Sequence, residues 1–393
     1  MTGPLHGTVV VDLTRALAGP HAGMMLGDLG ARVIKVETPG TGDDTRGWGP
    51  PFVDPPDGGD RQSTYFLSTN RNKESIALDL KSPEGTEVLA ALVERADVLL
   101  ENFRPGVLDR LGFSTPRMHE LNPRLVVLSI SGFGHGGPEG DRPGYDQIAQ
   151  GEAGLMSLTG SGPDDPQRVG VPIGDLLAGM YGVSGVLAAL LERERTGEGQ
   201  VVRTSLLAAI VGVHAFQGTR WTVAGEVGRA QGNHHPSIAP YGLFSCRDSA
   251  VQIAVGSEGL WRRLCTEFGL DAEADGLATN AERVANRERV IELVEGAFAG
   301  SGATELLPRL ASAGIPAGKV RTLDEVYGWE QTESQGLKLD VDHATLGRIT
   351  LPGPPLRFFA SDGATETTRR DHQPPPLLDG DGASVREWLG LDS

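Results

Sequence analysis

Short runs of apolar and β-branched residues alternate with longer segments of helical periodicity through the first half of the chain. Pro20 and Pro83 stand in the first turns of two helical segments, and Gly197 follows the longest one. The predicted strands are residues 8–13, 32–37, 75–80, 97–103, 125–130 and 201–204, and the predicted helices are 19–29, 82–96, 114–122, 173–195 and 206–224. Strands separated by helices favour a mainly parallel sheet covered on both faces, so we predict an α/β, doubly wound domain.

The second half of the chain predicts a smaller α+β domain. Residues 225–240 are rich in glycine, histidine and proline and indicate a connector at a domain boundary. Beyond it, residues 241–246 and 251–255 flank a turn, as in an antiparallel hairpin, and helices are predicted at 259–269 and 280–299. The predicted organisation is a large Rossmann-like domain over 1–224, a small domain over 225–327, and a C-terminal segment, 328–393, that returns to the large domain.

The charge balance narrows the possible partners. The 393 residues include 35 Lys and Arg against 52 Asp and Glu, a formal net charge of −17. Nucleic acids and anionic membranes need a basic face, so neither is an expected partner. The chain opens without a basic or apolar leader, and no stretch looks long and apolar enough to span a membrane, so we predict a cytoplasmic location.

The chain offers little for metal or redox chemistry. Cys246 and Cys265 lack the spacing of a disulfide framework or a metal site, and the histidines form no HExxH pair. The loop after the first strand lacks the GxGxxG pattern of dinucleotide-binding folds, which disfavours a dehydrogenase. We therefore predict no metal site.

Asp175 is the first candidate for chemistry. It follows Gly174, which leaves room for a bulky reactant, near the start of the long apolar helix. A helix amino end stabilises a carboxylate, so we expect Asp175 to stay ionised and to attack an activated acyl group. The residues alone favour a plainer alternative, in which Asp175 is an ordinary helix cap.

Basic and polar residues also collect next to predicted strands. Arg104 and Arg110 follow one strand, and the segment Asn70-Arg71-Asn72-Lys73 precedes another, which suits an anionic ligand on an acidic protein. Solvated turns and a solvated charged face are the alternatives. Residues 142–146 and 232–236 are polar, glycine-containing loops of the kind that line pockets, although turn chemistry explains them equally well.

Several short segments are distinctive as a set because of their order and spacing. They are Asp12-Leu13-Thr14, Ala18-Gly19-Pro20, Leu29-Gly30-Ala31, Val33 to Glu37, Asn72-Lys73, Leu78 to Lys81, Asp97 to Gly106, Ser131 to Gly134, Gly174-Asp175 and Arg195 to Gln200. Together they resemble the class III CoA-transferases, the family of formyl-CoA transferase, carnitine CoA-transferase and α-methylacyl-CoA racemase. The resemblance covers nearly the whole chain.

The resemblance implies that Asp175 is the nucleophile of a CoA-transferase. In that family the aspartate attacks a donor acyl-CoA and forms a mixed anhydride, and the CoA thiolate returns to make an aspartyl-CoA thioester. An acceptor carboxylate then reverses the sequence. The resemblance further implies an interlocked homodimer with the active site at the subunit boundary, CoA thioesters as substrates, and no required cofactor.

The family's CoA pocket maps by the same resemblance onto loops at the strand ends. The matching residues are Ala16, Leu17, Ala18, Thr38, Leu78, Asp79, Leu80, Lys81, Asn102, Phe103, Arg104, Arg110, Gly144 and Tyr145. Formyl-CoA transferase has glutamine and arginine at the positions of Leu17 and Thr38, and a glycine-rich loop where this chain has the bulkier 232–236. Formyl-CoA and oxalate are therefore not the expected substrates, and we expect a dicarboxylic acceptor with succinyl-CoA as donor.

Two alternative functions stay open in the sequence. Racemases of the family pair the aspartate with a histidine, but the matching position here is Tyr145, and a phenol is a poor general base at neutral pH. His135 or His234 would have to substitute. A CoA-binding protein without turnover is the other alternative, which the intact Gly174-Asp175 pair disfavours.

Overall fold

The computed structural model describes residues 3–391, which divide into two compact units. The first unit comprises Met1–Leu155, Val169–Gly225 and Glu330–Ser393, and the second comprises Met156–Arg168 and Glu226–Trp329. Residues 156–168, which the sequence analysis placed in the large domain, group with the second unit. Backbone hydrogen bonds from Ala230 to Ser157 and from Gly232 to Gly160 connect them to it.

The described residues contain the following elements. The strands are β1 (Val9–Asp12), β2 (Arg32–Glu37), β3 (Phe52–Val53), β4 (Gln62–Ser63), β5 (Lys73–Ala77), β6 (Val98–Glu101), β7 (Val126–Ser131), β8 (Val201–Ser205), β9 (Tyr241–Ser245), β10 (Ala250–Ala254), β11 (Ala317–Gly318), β12 (Lys338–His343) and β13 (Gly347–Pro352). The helices are α1 (Ala18–Asp28), α2 (Thr64–Thr69), α3 (Pro83–Arg95), α4 (Val107–Arg110), α5 (Thr115–Leu121), α6 (Asp146–Glu152), α7 (Ile173–Thr196), α8 (Leu206–Gly212), α9 (Ala215–Ala224), α10 (Glu258–Phe268), α11 (Asn280–Ala285), α12 (Arg287–Phe298), α13 (Ala303–Ser312), α14 (Leu323–Tyr327), α15 (Glu330–Ser334) and α16 (Gly382–Leu389).

A parallel sheet of six strands organises the first unit, in the order β5-β2-β1-β6-β7-β8. Successive residues of a strand face opposite sides. Val10 lies in a core with residues of α1 and α7, while Val11 lies in a second core with residues of α3 and α16. Helices therefore cover both faces, which matches the predicted Rossmann-like α/β arrangement.

Local sequence explains where the helices begin and end. The Ser82 hydroxyl accepts the Gly85 N–H at the start of α3, and Pro83 occupies the first turn, where no amide hydrogen is needed. The longest helix, α7, ends at Gly197, whose φ of +79° is a conformation that favours glycine. These are the signals from which the elements were predicted.

Glycines let α7 lie close to its neighbours. A Cβ on Gly179 would stand 2.7 Å from the Ala18 carbonyl oxygen, and one on Gly182 would stand 2.7 Å from Leu128. The opposite side of α7 exposes Met180, Leu187 and Leu191. By length and composition, α7 is also long and apolar enough to cross a membrane. The prediction from the sequence that no stretch has this length and apolar character was therefore wrong. A core helix passes the same test, and the inner side of α7 is core.

The second unit contains an antiparallel sheet in the order β11-β10-β9, packed against helices. Its core includes the buried side chains of Phe244, Trp261 and Phe298. The buried Arg283 guanidinium donates to the Ala239 and Leu277 carbonyls and pairs with Glu258 at 2.8 Å. Burial of this cation is therefore compensated on several sides.

Some predicted elements differ from the structure. The helix predicted over 206–224 is divided into α8 and α9, because Ala215 has a φ of +46° and the His214 ring contacts the Ala153 carbonyl at 2.8 Å. The helix predicted over 280–299 is divided at Asn286, whose side chain donates to the Gly276 and Glu282 carbonyls. The hairpin of β12 and β13 was not predicted at all.

Candidate active site

The carboxyl ends of neighbouring parallel strands bring most of the predicted CoA-binding positions to one edge of the sheet. Residues 16–18 follow β1, Thr38 follows β2, residues 78–81 follow β5, and residues 102–104 follow β6. Because these strands are adjacent, their loops are neighbours. Gly144 joins from a longer loop, since a Cβ on Gly132, just after β7, would stand 2.8 Å from the Gly144 Cα.

Hydrogen bonds from Asn102 connect the loop after β6 to the loop after β1. Its Oδ1 accepts the Arg15 N–H at 2.9 Å, and its Nδ2 donates to the Arg15 carbonyl at 2.7 Å. The Arg15 guanidinium lies 5.9 Å from the centre of the Phe103 ring. Ala16 has a φ of +66°, and its N–H points to Asp43 Oδ1 at 3.3 Å. The loop after β1 is therefore held in one shape by the loops after β6 and β2.

The predicted pocket residues differ in the exposure of their side chains, which are buried, exposed or partly buried. The side chains of Leu17, Ala18 and Leu78 are buried in the cores, so these positions can meet a ligand only through their backbone. Exposed side chains belong to Thr38, Asp79, Lys81, Arg104, Arg110 and Tyr145. Leu80 and Phe103 are partly buried against the α3 core. Within residues 3–391, no ion pair engages Lys81, Arg104 or Arg110, which leaves these cations free to meet an anion.

The basic cluster of residues 70–73 is internal, which corrects its interpretation as a ligand-binding patch. Lys73 Nζ lies 2.9 Å from Asp12 Oδ2 and from Asn70 Oδ1, and Arg71 pairs with Asp28 at 2.6 Å. Burial lowers the pKa of Lys73 to about 8, against the opposing effect of Asp12. Buried charges of this kind are paired because an unpaired one is costly. The cluster is therefore part of the packed interior and not a ligand-binding surface.

Asp175 lies in the first turn of α7, but it does not cap the helix. The N-cap position is Pro172, which has no capping side chain. Asp146, the first residue of α6, instead accepts the Gly174 N–H at 2.7 Å and the Asp175 N–H at 3.4 Å through Oδ1. Its Oδ2 accepts a hydrogen bond from the buried Gln150 at 2.7 Å. The cap therefore comes from another helix, and the cap interpretation of Asp175 was wrong.

The charge state of Asp175 also differs from the expectation. Burial raises the pKa of Asp175 to about 7, and the negative charge of Asp146 raises it as well. Among residues 3–391, no hydrogen bond or ion pair reaches the Asp175 carboxylate. The helix amino end fails to keep this group strongly ionised because Asp146 already occupies its N–H groups. The ionised form of a carboxyl group with a raised pKa is the stronger base, and therefore the stronger nucleophile.

Tyr65 and Trp48 are site residues that the sequence reasoning missed. Burial raises the pKa of the Tyr65 phenol, and the negative charges of Asp175 and Asp146 raise it further. The Trp48 and Tyr65 rings meet edge to face, with centres 5.1 Å apart. Ser63 begins this helix by accepting the Tyr65 N–H, and it donates to the Trp48 carbonyl at 2.6 Å. Ser63 was the sequence signal that could have identified this helix, because serine is a preferred N-cap residue.

The two histidines proposed as substitute bases belong to different units. His135 Nε2 contacts Ser129 Oγ at 2.7 Å, and Ser129 also hydrogen-bonds to the buried Glu101. Glu101 and Ser129 are paired across β6 and β7, two residues beyond the pair of Leu99 and Val127. Residues two apart in a strand face the same side of the sheet, so Glu101 and Ser129 lie on the α3 side, as Leu99 and Val127 do. Asp175 belongs to a helix on the other side. His234 lies in the second unit, with its ring 5.4 Å from the Phe244 ring.

Groups of three or more His, Cys, Asp or Glu side chains placed to hold a metal ion do not occur in the described part of the chain. The polar atoms of the site are instead carboxyl, phenol, amide and backbone groups. Such groups suit acyl chemistry, in which a carboxylate attacks and backbone N–H groups stabilise the oxyanion.

Comparison with known proteins adds sequence and structural relatives. The sequence profile of CoA-transferase family III matches residues 5–381. The chain is 40% identical to a succinate–glutarate CoA-transferase of Agrobacterium fabrum over 377 residues, 95% of this chain and 93% of that protein. It is 36% identical to an acetyl-CoA:oxalate CoA-transferase of Acetobacter aceti over 394 residues, 98% of this chain and 95% of that protein. The crystal structure of a CAIB/BAIF family protein from Brucella suis superposes with a TM-score of 0.86 at 40% identity, covering 99% of this chain and 100% of that chain.

Proposed function

The chain belongs to CoA-transferase family III, and from this premise we propose that it transfers CoA from succinyl-CoA to a dicarboxylic acid through Asp175. Its similarity to a succinate–glutarate CoA-transferase over nearly the whole of both chains carries the proposal. That relative's name pairs two dicarboxylic acids, so glutarate is the first acceptor to test. The relative named for oxalate makes oxalate the second, although Leu17 and Thr38 disfavour it.

The proposed reaction begins with attack of an Asp175 carboxylate oxygen on the thioester carbonyl of the donor. The carbon–sulfur bond breaks, CoA leaves as a thiolate, and a mixed anhydride remains. The thiolate then attacks Cγ of Asp175, the bond from Cγ to the bridging oxygen breaks, and succinate departs with that oxygen. The acceptor carboxylate repeats both steps in reverse. Every bond broken is matched by one formed, and no proton, metal or redox cofactor is consumed.

The loops at the strand ends are the proposed CoA-binding surface. Lys81, Arg104 and Arg110 are exposed cations without ion-pair partners in residues 3–391, so they suit the phosphates of CoA. Leu17, Ala18 and Leu78 contribute backbone groups only, because their side chains are buried. The two hydrogen bonds between Asn102 and the Arg15 backbone hold the loops after β1 and β6 together at one side of this surface.

We also propose that the enzyme works as an interlocked homodimer in the cytoplasm. Large apolar side chains are exposed on α7, at Met180 and Leu191, and on α9, at Trp221 and Val223. Contiguous exposed apolar surface marks interaction sites more often than free surface. A second copy of the chain is the occupant that this proposal expects.

A substrate panel tests the proposed function. The enzyme is mixed in D₂O with succinyl-CoA, acetyl-CoA or a 2-methylacyl-CoA and with glutarate, succinate or oxalate, and thioester masses are followed. Formation of glutaryl-CoA from succinyl-CoA without deuterium in the acyl group is the expected result. Deuterium at C2 of a 2-methylacyl-CoA, with no CoA transfer to any acid, would make the enzyme a racemase instead.

A further inference from the structure

We propose that Asp146 is a positioning residue that directs the returning CoA thiolate to the Asp175 carbonyl by making the free Asp175 carboxylate unfavourable. This inference rests on the proposed function. It concerns the branch point of that reaction, where the mixed anhydride has two carbonyl groups open to attack. Attack at one expels the acyl acid, and attack at the other expels Asp175.

The geometry places Asp146 where it controls the environment of Asp175. Its Oδ1 holds the first N–H groups of α7, at 2.7 Å from the Gly174 nitrogen and 3.4 Å from the Asp175 nitrogen. A Cβ on Gly174 would stand only 3.1 Å from that oxygen, so the glycine allows the Asp146 side chain to approach the start of α7 closely. Gln150 is buried, holds the other oxygen, and accepts the Val169 N–H at 2.9 Å, which fixes the Asp146 side chain.

This arrangement removes the usual stabilisation of a carboxylate at a helix start. The N–H groups that would favour an ionised Asp175 are occupied by another anion. The Asp146 charge then repels the Asp175 carboxylate, in addition to the cost of burial. The free carboxylate of Asp175 is therefore the less favourable of the two possible leaving groups, because a dicarboxylic acid leaves into water.

The groups around Asp175 do not compensate that repulsion. From α2, Tyr65 presents a neutral phenol whose pKa is raised by burial and by the same two carboxylates. From α8, Ile210 packs against Gly174 as an apolar side chain. From α1, His21 packs near Gly179 one turn further along, and burial together with Arg71 and Lys73 lowers its pKa to about 4, so it is neutral at pH 7. Among residues 3–391, Asp146 is the one charged group that shifts the pKa of Asp175.

The chemistry at the branch point then follows. When the thiolate attacks Cγ of Asp175, the Cγ–O bond breaks and the acyl acid departs as a carboxylate. When it attacks the acyl carbonyl, the other C–O bond breaks and Asp175 returns as a carboxylate beside Asp146. The second outcome regenerates the starting thioester. Repulsion by Asp146 disfavours it, so the aspartyl-CoA thioester accumulates.

Asp146→Asn tests this inference, because asparagine keeps an oxygen that can accept the Gly174 N–H and removes the charge. The fraction of protein carrying CoA is measured by intact mass at a fixed ratio of succinyl-CoA to succinate. We expect the ratio of CoA-bearing to free enzyme to fall severalfold in the variant, because the Asp175 carboxylate no longer faces the charge of Asp146. The acidic limb of kcat/KM should move to lower pH, which a purely structural role would not cause.

Glu152→Gln is the matched control, since it removes an exposed carboxylate from the same helix, where Glu152 pairs with Arg142. It should leave the CoA-bearing fraction unchanged. An unchanged fraction and pH limb in Asp146→Asn, or an equal fall in Glu152→Gln, would overturn the inference. Asp146→Ala, which also removes the charge, must lower the fraction as well.

A substrate-free measurement separates this inference from the proposed function. Tm is measured against pH for proteins with and without Asp175→Asn, and the difference in Tm between them reports the ionisation of Asp175. The comparison is made once with Asp146 present and once with Asp146→Asn. The dependence should shift to lower pH without Asp146, and an unshifted curve would contradict the inference. Absence of any CoA adduct on the unaltered enzyme with every donor would instead refute the proposed function.

Discussion

Single residues at the strand ends differ mainly in how their charge is compensated. Lys35 is buried, donates to the Thr14 carbonyl at 2.8 Å, and pairs with Asp43 at 2.8 Å. Burial alone lowers the pKa of Lys35, but Asp12 and Asp43 outweigh it and leave the pKa above its ordinary value. Asp175 has no such partner. The same sheet edge therefore contains a compensated network and an uncompensated carboxyl group.

Ionisation of Asp175 should be visible in stability. Its pKa is raised from 3.8 to about 7 on folding, so between these values the folded state binds more protons than the unfolded state. The stability that protonated Asp175 contributes is fully present below pH 3.8 and is lost as the pH rises to about 7. The Tm of the unaltered protein minus that of Asp175→Asn should therefore fall across this window and level off above it. Parallel Tm curves would show that the pKa is not raised.

Removal of a compensating charge should be costly. Lys35→Met leaves Asp43 and Asp12 buried with one cation fewer, and breaking a buried pair in this way costs about 3–5 kcal/mol. Urea unfolding monitored by circular dichroism measures the change. Arg348→Met removes an exposed cation paired with Asp340 and should change the unfolding free energy by less than about 1 kcal/mol. Equal losses in both variants would contradict the account of the network.

At the scale of elements, α7 depends on glycines where it meets α1 and the sheet. In Gly179→Ala the new Cβ would lie 2.7 Å from a backbone oxygen, which cannot move as a side chain does. We expect a loss of about 1–3 kcal/mol in unfolding free energy from this overpacking. In Gly296→Ala, within α12, the Cβ meets nothing within 4 Å, and alanine should stabilise the helix by up to about 1 kcal/mol. Denaturant unfolding of both variants checks the opposite signs.

The elements also show which parts of the fold a sequence can predict. Runs such as β2 and β7 and the capped start of α3 were predicted because the signals are local, in periodicity and capping residues. The break between α8 and α9 depends on a contact from His214 to Ala153, 61 residues away. The β12–β13 hairpin packs on Leu67 of α2. Neither contact is visible in the local pattern.

The candidate site divides in the same way. The loop positions follow from strand order, and Asp175 was identified by resemblance to a family. Its protonation state depends on Asp146, which precedes it by 29 residues and lies on another helix. Tyr65 and Trp48 meet only through the folding of the segment between β2 and α2. The positions of the loops could therefore be predicted from the sequence, whereas the electrostatics of Asp175 required the fold.

At the scale of the whole molecule, the exposed apolar side chains of α7 and α9 bear on the proposed homodimer. Light scattering after gel filtration should give the mass of two 41.5 kDa chains. Leu191→Asp, at a side chain that is 71% exposed, should favour the monomer if a second copy covers α7. Glu198→Gln, beyond the end of the same helix, is a control that should stay dimeric. A monomer at micromolar concentration in the unaltered protein would contradict the proposal.

The central claim is that Asp175 carries CoA during turnover, and intact-protein mass spectrometry tests it most directly. Enzyme mixed with succinyl-CoA should gain the mass of CoA less water, and added glutarate should discharge the adduct as glutaryl-CoA. Asp175→Ala should show neither the adduct nor the transfer while still binding CoA. An adduct that persists in Asp175→Ala, or turnover in that variant, would contradict the account and assign the chemistry to another residue.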